Sequence, residues 1–158
     1  MDVQEFYQKA AEERLVTADL FDFETIVVPV KTRGRTYGTI SRQCKENTAL
    51  EIPALSLGGT QFVARSVKPN VIFVAFWGDT DNFDSPALAH HIYACTRACV
   101  QTAGREKQKL VALPLLGGKH GPNLMWVMEH GVHDAESFLE AIGYTLPDVT
   151  FVTDHTLA

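Results

Sequence analysis

The chain has 158 residues, 46% of them hydrophobic and 21% charged, with a formal net charge of −5, which fits one soluble globular domain and argues against a generic duplex-binding surface. No apolar run reaches the ~18 residues of a membrane-spanning helix, and the start, MDVQEFYQKAAEER, lacks the basic segment and apolar core of a signal peptide. Cys44, Cys95 and Cys99 are odd in number, which argues against a disulfide framework and makes a reducing cytoplasm the expected location.

Asp2, with Glu5 three residues later, has the capping-box arrangement and predicts a helix over Val3–Arg14, with Phe6, Tyr7, Ala10 and Ala11 near one face. Thr25–Val30 (TIVVPV) reads as a buried strand that ends or frays at Pro29. Thr32–Gly38 is a basic, glycine-containing loop, followed by a short helix over Thr39–Asn47. Gln61–Val67 and Asn70–Trp77 read as two strands joined by a turn at Lys68-Pro69-Asn70. After the polar loop Gly78–Asp84, Ser85 as N-cap and Pro86 at the first helical position predict a long helix to Ala103. Leu110–Leu116 is the next strand, Ala135–Ile142 a helix stopped by Gly143, and Val149–Val152 a last short strand. No repeat or linker divides the chain, so residues 1–158 are expected to form a single domain. Apolar strands separated by helices predict an α/β fold, its mixed or parallel sheet covered on both faces.

The stretch Lys109–Trp126, KLVALPLLGGKHGPNLMW, carries the most chemistry. An apolar run ends at Leu116 and hands over to Gly117, Gly118, Lys119, His120 and Gly121. Glycines after a buried strand let backbone N–H groups approach phosphates, and Lys119 and His120 add cationic donors. The spacing matches neither the P-loop nor the Rossmann fingerprint. Ligands of such sheets sit at the carboxyl ends of the strands. There the loops Lys31–Gly38, Gly78–Asp84 and Gly117–Asn123 are expected to meet and to gather Lys31, Arg33, Arg35, Lys119 and His120 into a positive cleft. His120 reads as a base or phosphate donor, or as an exposed loop histidine. Lys119 reads as a phosphate contact rather than a Schiff-base amine. Phe76 and Trp77 read as core, cleft wall or a stacking surface. Asp79, Asp81 and Asp84 match no complete metal-binding loop. Adjacent His90 and His91 point in different directions on a helix, His130 and His133 have no evident third ligand, and Cys95 and Cys99 read as small core residues. No metal or cofactor is expected.

On these residues the chain resembles a macrodomain, the ADP-ribose-binding fold, from about Thr17 to the end. Thr17-Ala18-Asp19-Leu20-Phe21 is similar to the family's opening Gly-Asp-Ile/Leu motif, which implies that the Asp19 side chain and the Leu20 backbone N–H read adenine. Thr25–Lys45 resembles the segment around the distal ribose, with Gly34, Ile40, Gln43 and Lys45 agreeing with the branch that removes ADP-ribose from DNA or acidic side chains. Leu113–Trp126 resembles that branch's phosphate loop through Pro114, Leu116, Gly117, Leu124 and Trp126. The resemblance implies a three-layer fold in which Gly117, Gly118, Lys119, His120 and Gly121 cradle a diphosphate. Lys31, Arg33, Gly34 and Gly38 would border the distal ribose. The family's distal-ribose Asn is Lys31 here, and no Lys follows the strand Val71–Trp77, where that branch has its catalytic Lys. The expected function is recognition or sequestration of ADP-ribose or a related nucleotide, with an ADP-ribosylated macromolecule as a further partner. Hydrolysis through a rearranged residue such as His120, and a ligand-free structural domain, are the alternatives.

Overall fold

Alternating burial along the central strands sorts their side chains onto two faces. Strand β2 (Thr25–Lys31) sends Ile26, Val28 and Val30 into one core and Val27 into the other; β4 (Asn70–Trp77) divides Val71 and Phe73 from Ile72, Val74 and Phe76. Strands buried on both faces belong to the interior of a parallel sheet. With β1 (Leu15–Thr17), β3 (Thr60–Val63), β5 (Leu110–Pro114) and β6 (Asp148–Thr153), they form a six-stranded sheet of order β1-β6-β5-β2-β4-β3. All neighbours run parallel except the edge pair β3–β4, so the sheet is mixed. Helices α1 (Val3–Arg14), α3 (Ser85–Arg105) and α4 (Met125–Ala141) cover one face, and α2 (Gly38–Thr48) covers the other. The structure, a computed structural model, describes residues 1–78 and 83–154. Among these, no helix is long and apolar enough to cross a membrane.

Several elements differ from their sequence expectation. Strand β2 does not end at Pro29; it stays paired with β4 through Pro29↔Val74 and Val30↔Ala75. On its other side it pairs with β5 at Ile26↔Ala112. Proline lacks an N–H donor, and here it stands where β2 leaves β5 and the sheet opens. Strand β3 stops at Val63 rather than Val67, and the short edge strand β1, too brief for a periodic signal, follows α1 directly. Asp84, not Ser85, caps α3 by accepting the Ala87 N–H at 2.9 Å.

Helix α4 begins at Met125 rather than Ala135, because Gly131 does not break it. Gly131 sits where α4 crosses α3, and a Cβ there would lie 2.8 Å from the carbonyl oxygen of Tyr93. We expect Gly131→Ala to destabilise the domain by about 1–3 kcal/mol, since the obstructing atom is backbone. Urea denaturation would measure it, and a cost near zero would show that the crossing relaxes freely.

Arg14, in the last turn of α1, fastens that helix to the rest of the fold. Its Nε lies 2.7 and 2.8 Å from the two carboxylate oxygens of Glu129 on α4, and it donates to the Val149 carbonyl on β6 at 3.2 Å. Glu129 is buried; that burial raises its pKa, against the opposing pull of Arg14. Nearby, His130 stacks on Tyr7 with ring centroids 5.0 Å apart and lies 3.5 Å from Asp134. The three cysteines are free and buried, and burial pushes the Cys95 thiol up to about 12.

Candidate functional site

The carboxyl ends of β2, β4, β5 and β6 open into a groove made of two adjoining pockets of about 180 and 260 Å³. The two share Ile40, Leu115 and Gly118. Tyr37, Phe76 and Trp77 wall the first; Leu20, Val152 and the buried Asp154 line the second.

Beside the buried Asp154, backbone supplies much of the groove's polarity. Helix α2 starts at Gly38 with Tyr37 as N-cap, which makes no side-chain cap hydrogen bond. Gly38, Thr39 and Ile40 line the groove, so the N–H groups of that first turn are left for a ligand. Ser41 braces the turn from behind: its Oγ accepts the Tyr37 N–H at 2.7 Å and donates to the Tyr37 carbonyl at 2.8 Å. Also lining the groove, Gly117 (φ 100°) and Gly118 (φ 58°) lead into a 3₁₀ stretch over Gly118–Leu124 that also lacks a side-chain cap. Two uncapped helix starts therefore converge on one groove. Each brings orphan N–H groups and partial positive charge, which is how backbone binds phosphate.

The fold that carries this groove recurs in solved structures. The Trypanosoma brucei macrodomain in complex with ADP-ribose aligns with a TM-score of 0.61 at 15% identity, over 87% of this chain and 62% of that one. The macrodomain of Mycobacterium tuberculosis DarG aligns with a TM-score of 0.60 at 19% identity, over 87% and 96%. The macrodomain of Thermus aquaticus DarG gives 0.58 at 16% identity, over 88% and 95%. This is a macrodomain fold. No family model matches the sequence, and no curated protein does.

Within the macrodomain groove the structure brings together some of the anticipated residues and separates others. Leu20, Gly38, Gly117 and Gly118 line it. Asp19 is exposed at its edge, where its Oδ1 accepts the Phe21 N–H at 3.0 Å; the Ala18 N–H, donated to the Thr153 carbonyl at 3.1 Å, pins this segment to the end of β6. Gly121 is buried behind Leu115, where a Cβ would lie 3.1 Å from Leu115 Cβ and 3.2 Å from the Leu116 carbonyl oxygen.

The expected cluster of cations does not line the groove. Lys31 stands at the rim, its Nζ 5.7 Å from the Tyr37 ring. Its N–H donates to the Arg35 carbonyl at 3.0 Å, closing a tight turn through Arg33 (φ 65°) and Gly34 (φ 74°). Arg35 donates from Nε to the Thr32 carbonyl at 3.1 Å, which holds it on that turn. Lys119 is exposed, and His120 lines a separate pocket with Phe83, Leu88 and Leu124. Asp79 and Asp81 lie outside the described residues.

Three features escape the sequence reading. Tyr37 packs against Trp77 with ring centroids 4.9 Å apart, building an aromatic end to the first pocket. His91, on α3, has its Nε2 2.6 Å from the Phe76 carbonyl and braces the end of β4 that carries this wall. Thr39 lines the first pocket at the α2 start. The Tyr-Gly-Thr start of α2, with no Ser, Thr, Asp or Asn at the cap, was the available signal for an open helix end.

Proposed function

We propose that this chain binds ADP-ribose, or a nucleotide derived from it, as a recognition or sequestering module. The carrying observation is the pair of uncapped helix starts at Gly38 and Gly117–Gly118, which together suit a diphosphate. Adenine would occupy the Leu20–Asp154 pocket with Asp19 at its edge, and the distal ribose would lie against Tyr37 and Trp77. Lys31, Arg33 and Gly34 would border that ribose, with Lys119, His120 and Gly121 beyond the diphosphate. The T. brucei macrodomain holding ADP-ribose supports this reading. An ADP-ribosylated macromolecule would present the same group. Binding is favoured over hydrolysis because His120, the residue anticipated as a base, lines a different pocket. Free, buried thiols fit a cytoplasmic location.

Asp19→Asn tests the adenine assignment, because the amide oxygen can still accept the Phe21 N–H. We expect calorimetry to show ADP-ribose bound about tenfold more weakly, roughly 1.4 kcal/mol, with the melting temperature unchanged. Equal affinity in the variant would remove Asp19 from the site.

A further inference from the structure

A second cavity, of about 390 Å³, lies at the opposite pole of the sheet, beside the amino ends of β5 and β6. Two helix ends frame it. The Lys107 and Gln108 N–H groups cap α3 by donating to the Gly104 and Ala103 carbonyls at 3.1 and 2.9 Å. The Gly143 and Tyr144 N–H groups cap α4 the same way, donating to Glu140 and Leu139 at 3.1 and 2.9 Å.

The caps differ at their left-handed residue. Helix α4 uses Gly143 (φ 84°), the residue that conformation favours, whereas α3 uses Lys107 (φ 58°). The left-handed conformation therefore does not select for lysine there, although the helix end favours a cation. Lys107 and, two positions on, Lys109 both line the cavity. Among the described residues neither ammonium has a carboxylate within 4.0 Å. The helix ends carry roughly half a negative charge each, less than two ammonium groups supply. Tyr144 and Leu146, each 38% exposed, add an apolar wall. Gln108 is held in place by the Thr25 hydroxyl at 2.6 Å and the Asn70 amide at 3.1 Å, so that side of the cavity is preformed.

We propose that this cavity binds a small amphipathic anion. An aliphatic or aromatic body would lie against Tyr144 and Leu146, with a carboxylate or phosphate between Lys107 and Lys109. The site is separate from the nucleotide groove and does not depend on it. The test is an amide chemical-shift titration of the whole chain with octanoate and octyl phosphate, with octylammonium as the control of opposite charge. At least one anion is expected to move Gly104, Lys107, Gly143 and Tyr144 saturably while leaving Gly117 and Gly118 unmoved. Lys107→Gly keeps the cap, since glycine suits that backbone, and is expected to weaken anion binding at least tenfold; Lys109→Gln should weaken it as well. The proposal is overturned if neither anion moves those amides, if octylammonium binds there equally well, or if Lys107→Gly binds as tightly as the parent.

Discussion

Replacing Arg14 with alanine is expected to destabilise the domain by about 3–5 kcal/mol, the range for removing one partner of a buried ion pair. The cost arises mainly at the other partner. The Glu129 side chain is 5% exposed, against 26% for Arg14, so the carboxylate left behind is poorly hydrated. The reverse change should be milder: Glu129→Gln leaves an arginine that can hydrate, still near Glu136 at 3.7 Å, and should cost about 1 kcal/mol. The pH dependence follows from the same burial. Glu129 is held above its ordinary value in the fold, so the native state binds that proton more tightly than the unfolded chain does. Its contribution to stability therefore falls as pH rises through the folded pKa. Without Arg14 the pKa rises further, so the Arg14→Ala penalty should be largest at neutral pH and shrink on acidification. Urea denaturation across pH measures this; a small penalty that does not vary with pH would mean that solvent already reaches Glu129.

Gly118→Ala should remove most nucleotide binding while leaving the fold intact. A Cβ at Gly118 would meet no heavy atom within 4 Å, and Gly118 lines both halves of the groove. The backbone cost of alanine at φ 58° is about 1–2 kcal/mol. We expect ADP-ribose affinity to fall at least about 30-fold, roughly 2 kcal/mol by titration calorimetry. Gly117, the more conspicuous glycine in the sequence, is the poorer probe. A Cβ there would lie 2.8 Å from Ile92 Cδ1, so a Gly117 substitution perturbs the core as well as the groove. Full affinity in a folded Gly118→Ala protein would place the phosphates elsewhere.

The layered fold was legible because Thr25–Val30 and Val71–Trp77 are apolar enough to be buried on both faces. The glycine turn at the groove was legible because glycines follow a strand. What escaped depends on tertiary contact. Gly131 reads as a helix breaker until α3 is seen pressing on it, and Pro29 reads as a strand end until β5 is seen to leave β2 on one side. The cations of the first loop were expected in the cleft because that loop follows a strand end. Consecutive left-handed residues at Arg33 and Gly34 fold that loop back on itself instead, which no periodicity reveals. The packing of Asp19 and Leu20 is likewise tertiary: Leu20 fills the core beside the groove, while the Asp19 carboxylate caps a turn at its edge.

The central claim is that two open helix starts hold the diphosphate of an ADP-ribose. Isothermal titration calorimetry of the purified protein with ADP-ribose, with ADP and AMP as comparisons, tests it most directly. The account predicts ADP-ribose binding at micromolar affinity or tighter, weaker binding of ADP, and weaker still of AMP, which lacks the diphosphate. A folded protein that gives no heat with ADP-ribose, or that binds AMP equally well, would contradict it.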